Sequence, residues 1–227
     1  MAGDQAVTIH RHIKRTDPAL LKALSGYPTG NFTDIQGRRG ALDPAIKPLF
    51  PSAPIIGSAL TVRAGPGDNL APYLAVGVLA PGDVLVITTG GWTGSAVLGD
   101  LMAGFFKNAG AVAVVTDGMA RDLKGLTGVG LPVFAQGLTP NAPQKTGPGE
   151  IGGEISIGDV VVRAGDIVVG DADGVVILPQ EHFADAVKAI EAIKTKETGV
   201  EREIAAGVKQ PAWVQKFLAG DGVAYVD

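Results

Sequence analysis

The fold is decided by residues 83–116, which read DVLVITTGGWTGSAVLGDLMAGFFKNAGAVAVVT. The segment begins with a β-branched run, residues 83–88, and ends with a second apolar run, residues 111–116. Both runs have the length and composition of buried strands. Between them lie a glycine-rich loop, residues 90–94, and a helix predicted for residues 100–108. Strands that alternate with helices indicate an α/β fold with some parallel pairing.

The elements on the two sides of this unit differ. Upstream, Asp17 and Pro18 predict the start of a short helix that ends at Gly26, and residues 27–58 are predicted as loop with short strands. Downstream, short apolar runs separated by Gly-Asp or Asp-Gly turns predict a mostly antiparallel sheet. The other predicted elements are a helix at 68–79, a helical turn at 119–126, and strands at 59–63, 132–136, 154–157, 160–163, 167–169 and 175–178.

The end of the chain has a helical pattern. Apolar residues recur at helical spacing from Phe183 to Ile193, which predicts a long helix over about 181–205 that ends at Gly207. A short helix follows from Pro211. We therefore expect an α/β domain, residues 1–180, and a C-terminal helical extension, residues 181–227, whose apolar stripe is suited to pack on a neighbouring subunit.

Composition excludes several classes of function. The 227 residues carry a formal net charge of −4 and contain no cysteine, so disulfides, zinc–thiolate sites and cysteine nucleophiles are excluded. There is no basic block for nucleic acid. Residues 1–15 lack the apolar stretch of a signal peptide, and the nearly uncharged run at 85–98 is too short to cross a membrane. We expect a cytoplasmic protein that binds neither membranes nor nucleic acid.

One candidate site is the predicted start of the helix at Asp100. Free backbone N–H groups within Gly99–Met102, together with the positive end of the helix dipole, are suited to bind a carboxylate. The structural alternative is that Asp100 is simply the N-cap of the helix. Spacing alone favours this alternative.

A second candidate site follows the next strand, at Arg121-Asp122. Arginine offers a permanently charged fork of donors to a carboxylate or keto oxygen. Aspartate is a hard oxygen ligand for Mg²⁺ or Mn²⁺. The dipeptide is very common, and by itself it favours an ordinary surface ion pair or a helix cap. Nucleotide-binding motifs are absent, and the three histidines, His10, His12 and His182, do not have the spacing of metal ligands.

Taken together, Asp100, twenty residues, and then Arg121-Asp122 give a D-x20-R-D motif. This motif resembles the signature of a family that contains class II pyruvate aldolases and the regulator of ribonuclease activity A. The resemblance covers roughly residues 55–180 and includes, in family order, Gly67-Asp68-Asn69, Pro81 to Ile87, Gly99-Asp100, Thr116-Asp117-Gly118, Pro132 to Ala135, Gly165-Asp166 and Gly170 to Val176.

The resemblance implies a swivelling β/β/α fold, assembled as a homotrimer or hexamer with active sites between subunits. Backbone amides of Gly99, Asp100, Leu101 and Met102 would hold the C1 carboxylate of a small 2-oxo acid, and Arg121 would contact its keto oxygen. Asp122 would carry the divalent cation, Mg²⁺ or Mn²⁺, largely through water. Asp100 would hydrogen-bond to metal-bound water or to Arg121.

The implied reactions share a pyruvate enolate. One is cleavage of 4-hydroxy-4-methyl-2-oxoglutarate or 4-carboxy-4-hydroxy-2-oxoadipate to pyruvate and a keto acid, and the other is decarboxylation of oxaloacetate. A cation and an arginine on the enolate oxygen would stabilise charge that develops only in the transition state. A metal-bound water is the expected base for the C4 hydroxyl.

One position of this chain departs from the aldolase pattern, and one role in that pattern has two candidate residues. Relatives carry an acidic residue three positions after the aspartate of Arg-Asp, where this chain has Gly125. Aldolases also use a glutamate from a neighbour's C-terminal helix, and both Glu197 and Glu201 are candidates, with a solvated helix charge as the alternative for each. The other function in the family is that of a non-enzymatic regulator that binds an RNA-degrading enzyme. The C-terminal extension favours the aldolase branch.

Overall fold

The computed structural model describes residues 7–220, 222–224 and 226. It is an α/β structure with mixed sheets and C-terminal helices, which confirms the predicted fold class. The strands are β1 (Val7–Ile9), β2 (Lys47–Pro48), β3 (Ile55–Ala64), β4 (Asp83–Thr88), β5 (Ala96–Leu98), β6 (Ala113–Thr116), β7 (Met119–Ala120), β8 (Val133–Ala135), β9 (Gly137–Leu138), β10 (Gly149–Ile151), β11 (Ile155–Ile157), β12 (Val160–Val162), β13 (Ile167–Asp171) and β14 (Gly174–Leu178). The helices are α1 (Pro18–Leu24), α2 (Thr29–Ile35), α3 (Leu70–Ala75), α4 (Asp100–Asn108), α5 (Leu123–Val129), α6 (Phe183–Ala205) and α7 (Ala212–Leu218).

The main sheet is built around four parallel strands in the order β3-β4-β6-β8. The central strand β4 is buried along its whole length, as a strand covered on both faces must be. Antiparallel strands extend the sheet: β2 pairs with β8, while β10 and β13 pair with the two ends of β3. The hairpin of β13 and β14 is thus part of the main sheet and not a separate one.

Three apolar clusters hold the layers together. Helices α3, α4 and α5 cover one face of the sheet, where Phe106 and Leu126 are fully buried in one cluster with Leu85. The β11–β12 hairpin covers the other face through Ile155 and Ile157. The third cluster joins α1, α2 and α6 to the β13–β14 hairpin. The start of α6 is thereby fixed to the body of the protein.

A small parallel sheet, β5-β7-β9, positions the candidate site. Its strands lie beyond the carboxyl ends of β4, β6 and β8 along the chain, and β5 and β7 lead directly into α4 and α5. The sequence pattern does not predict this sheet, because strands of two or three residues leave little periodicity to detect. The helical turn predicted at 119–126 is wrong in its first part, since Met119 and Ala120 form β7 and the helix begins at Leu123.

Long, strongly patterned elements agree with the predictions. The bounds predicted for β4 and α4 are those observed, and the antiparallel hairpins and the long C-terminal helix are present. The helix predicted for 68–79 is shorter and ends at Ala75. Residues 27–58, predicted as loop with short strands, also contain the helix α2. It begins at Thr29, whose N–H and hydroxyl both donate to the Asp171 carboxylate, a contact that local sequence does not reveal.

The predicted domain division remains a proposal. Residues 1–6, 221, 225 and 227, which fall within the two predicted ranges, lie outside the described residues. Beyond Ile190 the apolar side chains of α6 and α7 are largely exposed, among them Ile204, Trp213 and Phe217. Within the described part of the chain, no helix has the length and apolarity needed to cross a bilayer.

Candidate active site

The two sequence motifs meet because their loops follow neighbouring parallel strands. Leu98 in β5 lies beside Ala120 in β7, and the N–H of Arg121 donates to the carbonyl of Leu98 at 3.1 Å. The carboxyl ends of parallel strands lie at the same edge of a sheet, where ligands commonly bind. The spacing of the D-x20-R-D motif therefore corresponds to one strand–helix–strand repeat, which brings Gly99-Asp100 next to Arg121-Asp122.

Glycine is required at position 99 by this close approach. A Cβ on Gly99 would lie 2.5 Å from Oδ2 of Asp122 and 3.2 Å from Cγ of Arg121. Any larger residue would push the Arg121 and Asp122 side chains away from the start of α4. Gly99 is also the N-cap of α4, with extended backbone and no side chain to satisfy the first N–H groups. The amides predicted to bind a carboxylate therefore receive no capping side chain from position 99.

Arg121 and Asp122 form a partly exposed pair. Nε of Arg121 donates to Oδ2 of Asp122 at 3.1 Å, and no described residue accepts from the terminal nitrogens of Arg121. Asp122 has a φ of 62°, one of only two left-handed residues other than glycine among those the structure describes. Such a conformation costs on the order of 1–3 kcal/mol and is concentrated at functional sites. The left-handed conformation of Asp122 turns the chain from β7 into α5 and places the Asp122 carboxylate beside Arg121.

Asp100 lies one position inside the helix, so the structural alternative that it is the N-cap is wrong. Its Oδ1 accepts from the N–H of Leu101 at 2.7 Å, and its Oδ2 accepts no hydrogen bond from the described residues. No direct hydrogen bond joins Asp100 to Arg121 in the described part of the protein. The Leu101 amide, one of those predicted to hold a substrate carboxylate, is therefore occupied by the protein's own carboxylate.

Gly125 faces Asp100. A Cβ on Gly125 would lie 2.0 Å from Oδ2 and 2.6 Å from Cγ of Asp100. The side chain of Asp100 thus fills the space that a side chain at position 125 would need. Where relatives carry an acid, this chain therefore leaves the space to the carboxylate of Asp100 alone.

Gly99, Asp100, Arg121 and Asp122 line a small pocket of about 80 Å³. Since a water molecule takes up ~30 Å³ of liquid, the pocket fits a small ligand or one end of a larger one. Asn69, Tyr73 and Lys145 also line it, and none of them was among the predicted site residues. Asn69 does lie in the Gly67-Asp68-Asn69 block that carried the family resemblance, whereas no sequence signal marks Lys145.

Lys145 and Asn69 add polar groups to the pocket. The ammonium of Lys145 lies 5.5 Å from the centre of the Tyr73 ring, a cation–π distance. Asn69 is buried, donates to the carbonyl of Val97 at 3.2 Å, and its Oδ1 has no partner among the described residues. A buried acceptor without a partner is costly, so a ligand or water that donates to Oδ1 would be favoured.

The loop that carries Lys145 is anchored by Asp68. Oδ2 of Asp68 accepts from the hydroxyl of Thr146 and the N–H of Gly147, and Oδ1 accepts from the N–H of Leu70. Burial raises the pKa of Asp68, but the hydrogen bonds from Thr146, Leu70 and Gly147 outweigh this effect and hold the pKa below its ordinary value of 3.8. Asp68 is therefore an ionised structural anchor that lies behind the site.

The charges of the pocket suit an anionic ligand together with a cation. Arg121, Lys145 and the start of α4 favour a carboxylate. Asp100 and Asp122 each retain a carboxylate oxygen that accepts no hydrogen bond from the described residues. No group of three or more His, Asp or Glu side chains forms a ready metal site in the described part of the chain. Two carboxylates nevertheless fit Mg²⁺, which keeps several of its waters and needs few protein ligands.

Glu197 and Glu201 do not reach this pocket within one chain. Oε1 of Glu197 accepts from Nδ2 of Asn31 at 2.8 Å, and Oε1 of Glu201 lies 3.5 Å from Nζ of Lys194. Both glutamates line a different groove, of about 1000 Å³, between α6 and the segment that follows α2. A catalytic role for either one would require the site of a neighbouring subunit.

The chain is similar to several known proteins. It is 36% identical over 192 residues, 84% of this chain and 91% of the relative, to a protein of Halalkalibacterium halodurans provisionally named 4-hydroxy-4-methyl-2-oxoglutarate aldolase. RraAS2 of Streptomyces coelicolor, described as an unusual member of the RNase ES inhibitor RraA family, matches 83% of this chain and 98% of its own, with 26% identity and a TM-score of 0.74. The RNA-processing inhibitor RraA of Thermus thermophilus matches 67% of this chain and 93% of its own, with 28% identity and a TM-score of 0.62.

The family assignment follows from the extent of these similarities. Residues 17–177 match the model of the RraA-like family, described as Aldolase/RraA. That range contains Gly99, Asp100, Arg121, Asp122 and the strands that bring them together. This protein belongs to the RraA-like, or Aldolase/RraA, family.

Proposed function

We propose that this protein is a lyase that uses Mg²⁺ or Mn²⁺ to cleave 4-hydroxy-2-oxo acids to pyruvate and a second keto acid, and to decarboxylate oxaloacetate. The expected substrates are 4-hydroxy-4-methyl-2-oxoglutarate and 4-carboxy-4-hydroxy-2-oxoadipate. One observation carries the proposal: the start of α4, Arg121, Asp100 and Asp122 line a single small pocket. The name of the Halalkalibacterium halodurans relative supports the same class of reaction.

The C1 carboxylate of the substrate binds at the start of α4. The first intrahelical hydrogen bond there joins the N–H of Ala103 to the carbonyl of Gly99, so the N–H groups of Asp100 and Met102 are available to a ligand. The Leu101 amide has to exchange the Asp100 carboxylate for that of the substrate. Substrate binding thereby releases Asp100 from the helix and allows it to face the reacting atoms.

Arg121 stabilises the enolate oxygen. Its Nε is held by Asp122, which leaves the terminal nitrogens to donate to the keto oxygen of the substrate. When the C3–C4 bond breaks, the electron pair moves into the pyruvate unit and the keto oxygen gains charge. A donor fixed in advance on this oxygen binds the transition state more tightly than the ground state, and that difference accelerates the reaction.

A divalent cation held by Asp122 and Asp100 would supply a Lewis acid for the same enolate. Cleavage of a 4-hydroxy acid also requires removal of the C4 hydroxyl proton. Water held by the cation is the expected base, and the free Oδ2 of Asp100 is the group in the pocket suited to receive the proton from that water. Decarboxylation of oxaloacetate forms the same enolate without this proton transfer, so Arg121 serves both reactions and Asp100 acts as a proton acceptor in only one.

The test is a panel of 4-hydroxy-2-oxo acids and oxaloacetate, with pyruvate release measured in the presence of Mg²⁺, Mn²⁺ or excess chelator. We expect release that depends on the cation and returns when the chelator is titrated with Mn²⁺. Full activity after exhaustive chelation would overturn the proposed use of a cation. Absence of pyruvate from every member of the panel would overturn the assignment as a lyase.

The regulator function is the alternative within the family. The Thermus regulator leaves a third of this chain unmatched, and the family match ends at residue 177, before α6 and α7. The exposed apolar side chains of that region, together with exposed Leu101 and Phe105 on α4, are suited to subunit contacts. We infer a homotrimer or hexamer in which the C-terminal helices contact a neighbour, and light scattering of the purified protein tests this assembly.

A further inference from the structure

A second pocket lies next to the pocket that contains the start of α4, and Arg121 and Asp122 belong to the walls of both. It has a volume of about 260 Å³, and Leu123, Leu138, Thr139 and Pro140 form its remaining walls. We call it the acceptor pocket. Arg121 and Asp122 line both pockets, so the two pockets adjoin at this pair.

The walls of the acceptor pocket belong to the same small sheet as the site. Leu138 in β9 pairs with Ala120 in β7, and the N–H of Thr139 donates to the carbonyl of Ala120 at 2.9 Å. Leu123 is the first residue of α5, directly after Asp122. The pocket is therefore attached to the strand that positions Arg121.

The chemistry of the acceptor pocket differs from that of the first pocket. Apart from the Arg121–Asp122 pair, its lining residues carry no charge. Leu123 and Leu138 are large apolar side chains that remain 38% and 44% exposed. Lys145 lines the first pocket and not this one. An apolar group gains from burial against these leucines. A carboxylate would lose water and find only Arg121, which the proposed function engages with the keto oxygen.

We propose that the acceptor pocket receives one C4 substituent of the substrate and that this substituent is an alkyl or aryl group. The inference rests on the proposed function and narrows the range of its substrates. The two expected substrates differ at C4, where one carries a methyl group and the other a carboxymethyl group. The pocket favours the apolar substituent and, at 260 Å³, has room for groups larger than methyl.

The reverse reaction gives a direct measure of this preference. Pyruvate loses a C3 proton, its C3 forms a bond to the keto carbon of an acceptor 2-oxo acid, and the acceptor oxygen gains a proton. 2-Oxopentanoate and 2-oxoglutarate are a matched pair of acceptors, since their side chains have the same number of carbons and end in a methyl group or a carboxylate. With Mn²⁺ and pyruvate, we expect the cross-aldol product of 2-oxopentanoate to form about 10-fold faster or more.

A charge change in the pocket is expected to reverse the ratio of the two acceptor rates. Leu138→Lys places a cation where the side chain of the acceptor ends, so the ratio should shift toward 2-oxoglutarate by about 10-fold or more. Val161→Lys is the control, because Val161 has a similar exposure of 43% but lies on the remote β11–β12 hairpin. This variant should retain the ratio of the wild-type protein.

The outcomes separate this inference from the proposed function. The exchange of the C3 protons of pyruvate for deuterium can be followed by NMR. This exchange requires the pocket that binds the pyruvate unit, but it needs no acceptor. Exchange without a preference between the two acceptors would overturn the acceptor pocket and leave the lyase in place, whereas no exchange at all would overturn the proposed function. If Leu138→Lys dissociates the oligomer and leaves the ratio unchanged, the pocket is a subunit contact and the inference is wrong.

Discussion

The carboxylate of Asp100 lies against Gly125, so that a Cβ on Gly125 would be 2.0 Å from Oδ2 of Asp100. This contact joins the first turn of α4 to α5. Room for a movable Asp100 carboxylate is provided by the missing side chain at position 125.

Gly125→Ala tests this relationship. The new methyl group must displace Asp100, and a misplacement of about 1 Å in a catalytic group can lower kcat on the order of 10²-fold. Stability should change little, because alanine in a helix is favoured by up to about 1 kcal/mol over glycine and this gain opposes the clash. Pyruvate release and thermal melting measure the two effects.

Gly128→Ala is the matched control for that experiment. Gly128 lies in the same helix, and a Cβ there would meet nothing within 4 Å. We expect wild-type kcat and a slightly higher Tm. Equal activity in the two variants would show that the position of Asp100 does not matter for the reaction.

Asp100→Asn should separate the two proposed reactions. At saturating Mn²⁺, loss of the proton acceptor should lower aldol cleavage by about 10²-fold or more, the usual contribution of general base catalysis. Oxaloacetate decarboxylation needs no such acceptor and should decline much less. The measurement is kcat for both substrates with one enzyme preparation. A parallel loss in the two reactions would assign Asp100 to the cation alone.

Arg121→Lys should lower kcat strongly instead of mainly raising KM. Lysine keeps the charge but loses the planar fork that holds Asp122 and the keto oxygen together. Losing one such donor typically costs on the order of 10²-fold in kcat. Near-wild-type kcat in a folded Arg121→Lys variant would leave the pair as an ordinary surface ion pair.

Asp122→Asn should weaken the affinity for the cation, with activity partly recovered at high Mn²⁺. Asparagine tolerates the left-handed backbone of this position, so the variant should fold. If Arg121 and Asp122 act on one enolate, the double variant should be little worse than the poorer single variant. Full additivity in kcat would show that the two residues act separately.

The lowered pKa of Asp68 predicts that the free energy of unfolding depends on pH. Because its folded pKa is lowered, its contribution is present above the unfolded value of 3.8 and is lost as the pH falls through the folded pKa. Asp68→Asn should therefore be less stable than the wild-type protein at pH 7, with a difference that narrows below pH 3.8. Urea unfolding of the two proteins between pH 3 and 7 measures this difference.

The local sequence pattern by itself determined those elements whose residues show a clear periodicity or a continuous apolar run. The β-branched run of β4 and the helix from Asp100 to Asn108 are predicted at the observed bounds, because burial on two faces and helical periodicity leave clear traces in sequence. Local pattern alone favoured structural roles for Asp100, Arg121 and Asp122, and the resemblance of the D-x20-R-D motif to a family signature identified them as candidate site residues. Their adjacency follows from one strand–helix–strand repeat.

Only the tertiary structure decided what depends on distant partners. The helix α2 starts at Thr29 because Asp171, 142 residues away, accepts from its N–H and hydroxyl. Asn69 and Lys145 join the pocket through the loop that Asp68 anchors, and Asp100 meets Gly125 across two helices. The acceptor pocket likewise combines α5 with β9. Contacts between segments far apart in the chain depend on how the layers pack, and no local periodicity records them.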